Sequence, residues 1–159
     1  MIKGDLIFIR NKGWLFDRVR KTLGSEFDHV AICISDTALV EATPTRGVAR
    51  EDIHKYDSAT HCVCRLKDEY RDNLNIMISY CESKVGKKYD LIQVISLYIL
   101  IILGIKRTVD PIDIGDAFVC SELISQGAES AGIIFADGVA IDRLTPADIY
   151  SSDKLEKLI

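Results

Sequence analysis

The sequence predicts a single α+β domain in which an antiparallel sheet of about five to six strands packs against helices. Three observations predict it. Over the first 66 residues, short runs rich in strand formers alternate with turn residues. Beyond about residue 70, apolar residues recur at helical spacing instead. No repeat, low-complexity stretch or linker divides the 159 residues, a length suited to one domain with its own core. Strands followed by helices give the α+β class.

Residues 5–10 (DLIFIR) alternate weakly and read as the first strand. Residues 14–23 place Leu15, Val19 and Leu23 at helical spacing, and Gly24 is a stop. HVAICI at 29–34 is β-rich, SDT at 35–37 is turn chemistry, and ALVEAT follows as the returning strand. Pro44 ends that strand because it donates no ladder hydrogen bond. Residues 47–53 and 61–66 complete a predicted antiparallel meander. Residues 73–85 carry Leu74, Ile78, Cys81 and Val85 on one helical stripe, closed by Gly86. A loop with Pro111 and Gly115 leads to a predicted helix over 118–131. The C-terminal LTPADIYSSDKLEKLI reads as a proline-started turn and an amphipathic tail.

Residues 91–105 (LIQVISLYILIILGI) are nearly all apolar. As a helix they would span ~22 Å, short of a hydrocarbon core of about 30 Å. A buried core helix is the main reading, with a membrane-touching or partner-binding helix as the alternative. The 48% hydrophobic and 28% charged content is that of a globular protein, and the net charge of −4 opposes a general nucleic-acid binder. The five cysteines at 33, 62, 64, 81 and 120 form neither a disulfide framework nor a zinc pattern, so no metal or cofactor is expected. Such usage, with no secretory leader at MIKGDLIFIR, gives a cytoplasmic expectation. Oligomeric state is not readable.

A thiol nucleophile needs an activating base and a group that orients that base. Cys120 lies near a predicted helix start, where Asp116 is a candidate cap, and there the helix dipole favours a thiolate. Its other reading is a small buried hydrophobe, the role assigned to Cys33, Cys64 and Cys81. His29 opens a predicted core strand, whereas His54 and His61 lie beside loops. Locally it is open to a plainer reading, a hydrogen-bonded strand end. If the turn takes residues 35–37, residue 31 faces 41, and Glu41 shares the face of His29 one diagonal step away. A two-residue turn would flip Glu41 to the other face.

GDLIF at 4–8, DHVAICI at 28–34, VEATPTRGV at 40–48, GKKYD at 86–90 and FVCSELI at 118–124 occur in this order. Together they closely resemble the circularly permuted NlpC-type, papain-like cysteine hydrolases of the YiiX/YaeF-like group, and more distantly the lecithin retinol acyltransferases. Unpermuted relatives carry the Cys helix first; here it comes last. The resemblance covers nearly the whole chain, 1–159, as one permuted papain-like domain. It implies Cys120 as nucleophile, His29 as general base, Glu41 as the orienting residue and Tyr89 as a donor to the substrate carbonyl. Asp5 reads as a structural turn residue, and Glu122 as facing solvent or capping a neighbour. The implied substrates are small peptides or N-acyl amino acids, with cell-wall-derived peptides among them. Two alternatives stand beside this reading: a lipid acyltransferase or thioesterase docking through 91–105, and a non-catalytic binding module.

Overall fold

The computed structural model describes residues 1–90 and 117–158. The apolar segment at 91–105, the loop after it and the candidate cap Asp116 lie outside the described residues. Six strands form one antiparallel sheet: β1 (Leu6–Arg10), β2 (His29–Cys33), β3 (Ala38–Thr43), β4 (Gly47–Asp52), β5 (Thr60–Leu66) and β8 (Leu155–Lys157). Their spatial order is β4-β3-β2-β1-β5-β8. The predicted meander holds from β1 to β4. The chain then returns, and β5 pairs with the other edge of β1. That placement follows from composition: Leu6, Ile7, Phe8 and Ile9 are all fully buried, as a central strand covered on both faces requires.

Alternation along the strands divides the interior. Leu6, Phe8, Val30, Ile32 and Val40 join the core beneath the helices. Ile7, Ile9, Ala31, Cys33 and Leu39 form a second cluster with Ile53, Tyr56 and Ala59. Asp5, fully buried before β1, accepts the Ile2 amide at 2.8 Å and pairs with the Arg65 guanidinium at 2.7 and 3.0 Å. That is a structural role.

Helix α1 (Trp14–Leu23) stops at Gly24, as the spacing predicts. Helix α2 (Leu74–Ser83) crosses α3 (Cys120–Ser130), which also packs on β2 and β3. Gly127 permits this crossing. A Cβ there would stand 2.7 Å from the Cys81 Sγ and 3.2 Å from the Met77 carbonyl, so the mid-helix glycine is exchanged for close approach. Helix α3 starts two residues later than the spacing predicts. Ala117–Phe118 instead form β7, paired in parallel with β6 (Lys88–Tyr89). Helix α4 (Pro146–Tyr150) is capped by Thr145, whose amide and hydroxyl both donate to Asp148. Tyr150 then stacks edge-on against Phe8 and Phe27 at 5.1 and 4.9 Å between centroids. The amphipathic tail is the edge strand β8, too short for its period-2 pattern to register in the sequence. Among the described residues, no helix is long and apolar enough to cross a membrane.

The segment leading to β6 docks on β4. The Val48 amide donates to the Lys87 carbonyl and the Gly86 amide to the Val48 carbonyl, both at 2.9 Å. Gly47, with φ +68°, makes room, since a Cβ would sit 2.3 Å from that Lys87 oxygen. Gly47→Ala is expected to destabilise the fold by about 1–3 kcal/mol, through backbone strain and this clash. The midpoint of urea unfolding measures it, and an unchanged midpoint would contradict the docking described.

Candidate active site

The entry into β2 is pinned before its first residue. Asp28 accepts from the Asn11 amide at 3.2 Å and the Asn11 side chain at 2.6 Å, and it pairs with the buried Arg20 of α1. His29 follows directly. Beyond it, β2 and β3 pair Ile32 with Val40 and Cys33 with Leu39, and the Ile34 amide donates to the Ala38 carbonyl at 2.9 Å. The turn therefore takes residues 35–37. In this register Glu41 shares the face of His29, and His29 Nε2 meets Glu41 Oε2 at 2.7 Å. The two-residue turn is excluded.

Glu41 is 1% exposed inside β3. A carboxylate buried to that degree must be paired and hydrogen-bonded. Besides His29, it accepts from the Tyr56 hydroxyl at 2.5 Å and from the Lys55 ammonium. Both donors stand on one 3₁₀ turn, Ile53–Tyr56, capped by Asp52, which accepts the His54 amide at 2.8 Å. Burial pushes the Glu41 pKa up, but the hydrogen bonds and charges of His29, then Lys55 and Tyr56, outweigh it and bring it down to about 2. Sequence reasoning paired Glu41 with His29 alone. The remaining lone pairs of a buried carboxylate were the signal that further donors stood nearby.

Cys120 is the first residue of α3, with Val119 rather than Asp116 at the cap. The first bond of the helix runs from the Leu123 amide to the Val119 carbonyl at 3.0 Å. The amides of Cys120, Ser121 and Glu122 therefore have no acceptor within the helix. Glu122 is buried, accepts the Val119 amide at 3.4 Å and takes the Gln126 side chain at 2.8 Å. Of its two expected roles, it is the cap.

Cys120, 4% exposed, lies close enough to the His29 imidazole to act on its protonation. Burial acts to lower the His29 pKa. The interaction with Cys120, then the hydrogen bond and charge of Glu41, overcome it and raise the pKa to about 10.

Tyr89 reaches the same place through the β6–β7 pair, in which it faces Phe118, two residues before the thiol. Its phenol is pushed up by burial, then by the charge at Cys120 and that of Asp90. The other candidates lie apart. His54 is exposed and pairs with Asp57, and His61 Nδ1 meets the Ala59 carbonyl at 3.0 Å. All five thiols are free. Burial raises Cys33, Cys64 and Cys81 to about 12, as inert core thiols.

A thiol opening a helix, an imidazole opening a strand and a buried carboxylate beside it, on an antiparallel sheet with packed helices, are the arrangement of the papain-like cysteine hydrolases. Within that class the order is permuted, and the chain belongs to the permuted papain-like amidases, the YaeF/YiiX or C92 family, whose family model matches residues 1–97. Its fold is similar to the crystal structure of YiiX from Escherichia coli O157:H7, described as a metalloprotein, with a TM-score of 0.70. The two are 14% identical over 99% of this chain and 96% of that one. No curated protein matches the sequence. Among the described residues, no three His, Cys, Asp or Glu side chains are grouped so as to hold a metal ion.

The ion cluster has a pH signature. The Glu41 pKa lies at about 2 in the fold against an ordinary 4.5, so its stabilisation is complete above pH 4.5 and is lost as pH falls through 2. Glu41→Gln, which removes one partner of a buried pair, is expected to cost about 3 kcal/mol at neutral pH. The gap from wild type should close as the pH approaches 2. Urea unfolding followed by circular dichroism across this range checks it, and a gap independent of pH would contradict the assignment.

Proposed function

We propose that this amidase hydrolyses amide bonds of small peptides or N-acyl amino acids, cell-wall-derived peptides among them, through a Cys120–His29–Glu41 triad and a thioester intermediate. The observation that carries it is the buried His29–Glu41 hydrogen bond at 2.7 Å, with the Cys120 thiol opening α3 near enough to raise the His29 pKa. The sulfur of Cys120, its proton held by His29, attacks the carbonyl carbon. The oxyanion forms against the Cys120 amide at the start of α3 and the Tyr89 hydroxyl. The raised phenol pKa keeps that hydroxyl protonated, and so a donor. As the C–N bond breaks, His29 passes its proton to the departing amine. Water then loses a proton to His29 and attacks the thioester, releasing the acid and restoring the thiol. Glu41 fixes the ring orientation and stabilises the imidazolium. The short turns at 35–37 and 44–46 leave little chain for a polymer groove, which favours small substrates. Five free thiols suit a reducing compartment, and a cytoplasmic enzyme would meet free fragments rather than intact wall.

Assayed on acyl-peptides and muropeptides, Cys120→Ala is expected to abolish turnover, and Tyr89→Phe to lower kcat about a hundredfold. Because His29 holds its proton up to about pH 10, kcat/KM should fall as pH rises through that value. Glu41→Gln should retain more activity than Cys120→Ala. It should also move the alkaline limb to lower pH, since the imidazolium loses an opposing charge. Iodoacetamide at neutral pH should label Cys120 ahead of Cys33 and Cys81. Undiminished hydrolysis by Cys120→Ala would refute the triad.

A further inference from the structure

The face of α1 that points away from the fold is cationic and aromatic, in a chain that is acidic as a whole. Trp14 is 75% exposed, the most exposed of the large hydrophobic residues among those described. Arg18 and Lys21 are exposed and follow Trp14 by four and seven positions, so the three side chains share one helix face. Exposed Arg10 and Lys12 lead into it. Between residues 10 and 23 there are five cations and one carboxylate, Asp17, whereas the whole chain carries −4. Asp17 is already engaged by Arg20. The helix is held in this orientation by the buried Arg20, which pairs with Asp28 and donates to the Asn11 carbonyl at 2.8 Å.

We propose that the outward face of α1 docks the protein on anionic lipid bilayers, with Trp14 entering the headgroup region and Lys12, Arg18 and Lys21 meeting lipid phosphates. The chemistry discriminates among partners. An indole beside lysine and arginine is the composition of an interfacial anchor. A single exposed indole, at roughly 150–250 Å², falls far short of the ~1,000 Å² that a stable protein interface needs. Docking would also orient the site, because the Asp28 carboxylate that Arg20 holds immediately precedes His29. An amide substrate carrying an acyl chain would then be reached from the bilayer surface. The docking itself rests on no part of the catalytic reading, and Cys120→Ala should bind equally well.

The chain contains a single tryptophan, so its emission reports α1 alone. The full chain is titrated with vesicles of equal parts phosphatidylglycerol and phosphatidylcholine, and separately with pure phosphatidylcholine. A blue shift and co-sedimentation are expected with the first only, weakening as salt rises. The double variant Arg18→Glu/Lys21→Glu, its fold checked by circular dichroism, should bind at least roughly thirtyfold more weakly. Trp14→Ala should lose co-sedimentation. Emission unmoved by anionic vesicles overturns the proposal, as does undiminished binding by the double variant. A shift that grows with protein concentration without lipid points to a second copy and overturns it too, and so does an equal shift with duplex DNA.

Discussion

A carboxylate with 1% exposure in the middle of a strand is the constraint around which this fold is arranged. Glu41 would be expelled from the sheet by its desolvation cost unless every lone pair met a donor. It meets them from two directions: an imidazole on the neighbouring strand, and an ammonium and a phenol on the 3₁₀ turn after β4. The turn at 35–37 and the short path from β4 to Lys55 are therefore coupled to the position of one side chain. A register slip of a single residue would bury Glu41 among the helix-side apolar residues, with no partner. The sheet register and the site geometry are one requirement stated twice.

That coupling explains what was legible in the sequence. SDT at 35–37 is turn chemistry, and LVEA places a charge inside an apolar run; together they imply the three-residue turn and the His29–Glu41 contact. Periodicity located α1 and α2, and Gly24 its stop, because those signals are local. What escaped depends on contacts distant in sequence. Lys55 and Tyr56 read as surface residues in EDIHKY, and only the depth of Glu41 explains why they turn inward. Phe118 looks like the first apolar residue of a helix, but it has a strand partner at Tyr89, twenty-nine positions earlier. With two residues each, β6 and β7 are too short to show any period. The strand β8 stayed hidden for the same reason, since a sheet edge is defined by its neighbour β5.

The charges of the site also fit together as a set. Glu41 supplies negative charge; His29 meets it from the neighbouring strand, and Lys55 reaches it from a partly exposed position. A carboxylate on Nε2 favours the protonated form of the imidazole. The ammonium of Lys55 and the hydroxyl of Tyr56 draw on the same carboxylate and so moderate its hold on the ring. The partners that make Glu41 tolerable in the interior are thus the ones that temper its effect on His29.

Permutation places a further demand on packing. The thiol and the imidazole stand ninety-one positions apart, and the family match ends at residue 97, before the thiol-bearing helix begins. Noncovalent contact must therefore fix the depth of α3. Three contacts do so along its length: β7 holds its entry against β6, Glu122 ties down the Val119 amide, and Gly127 lets the helix settle against Cys81 and Met77. The first also carries Tyr89, so Cys120 and Tyr89 are positioned by the same short ladder. That ladder is anchored in turn to β4 through Val48 and Lys87, one strand from Glu41. Each group of the site is thus tied to the sheet that fixes the others, which is how a chain cut and rejoined in a different order keeps its thiol and its imidazole beside one another.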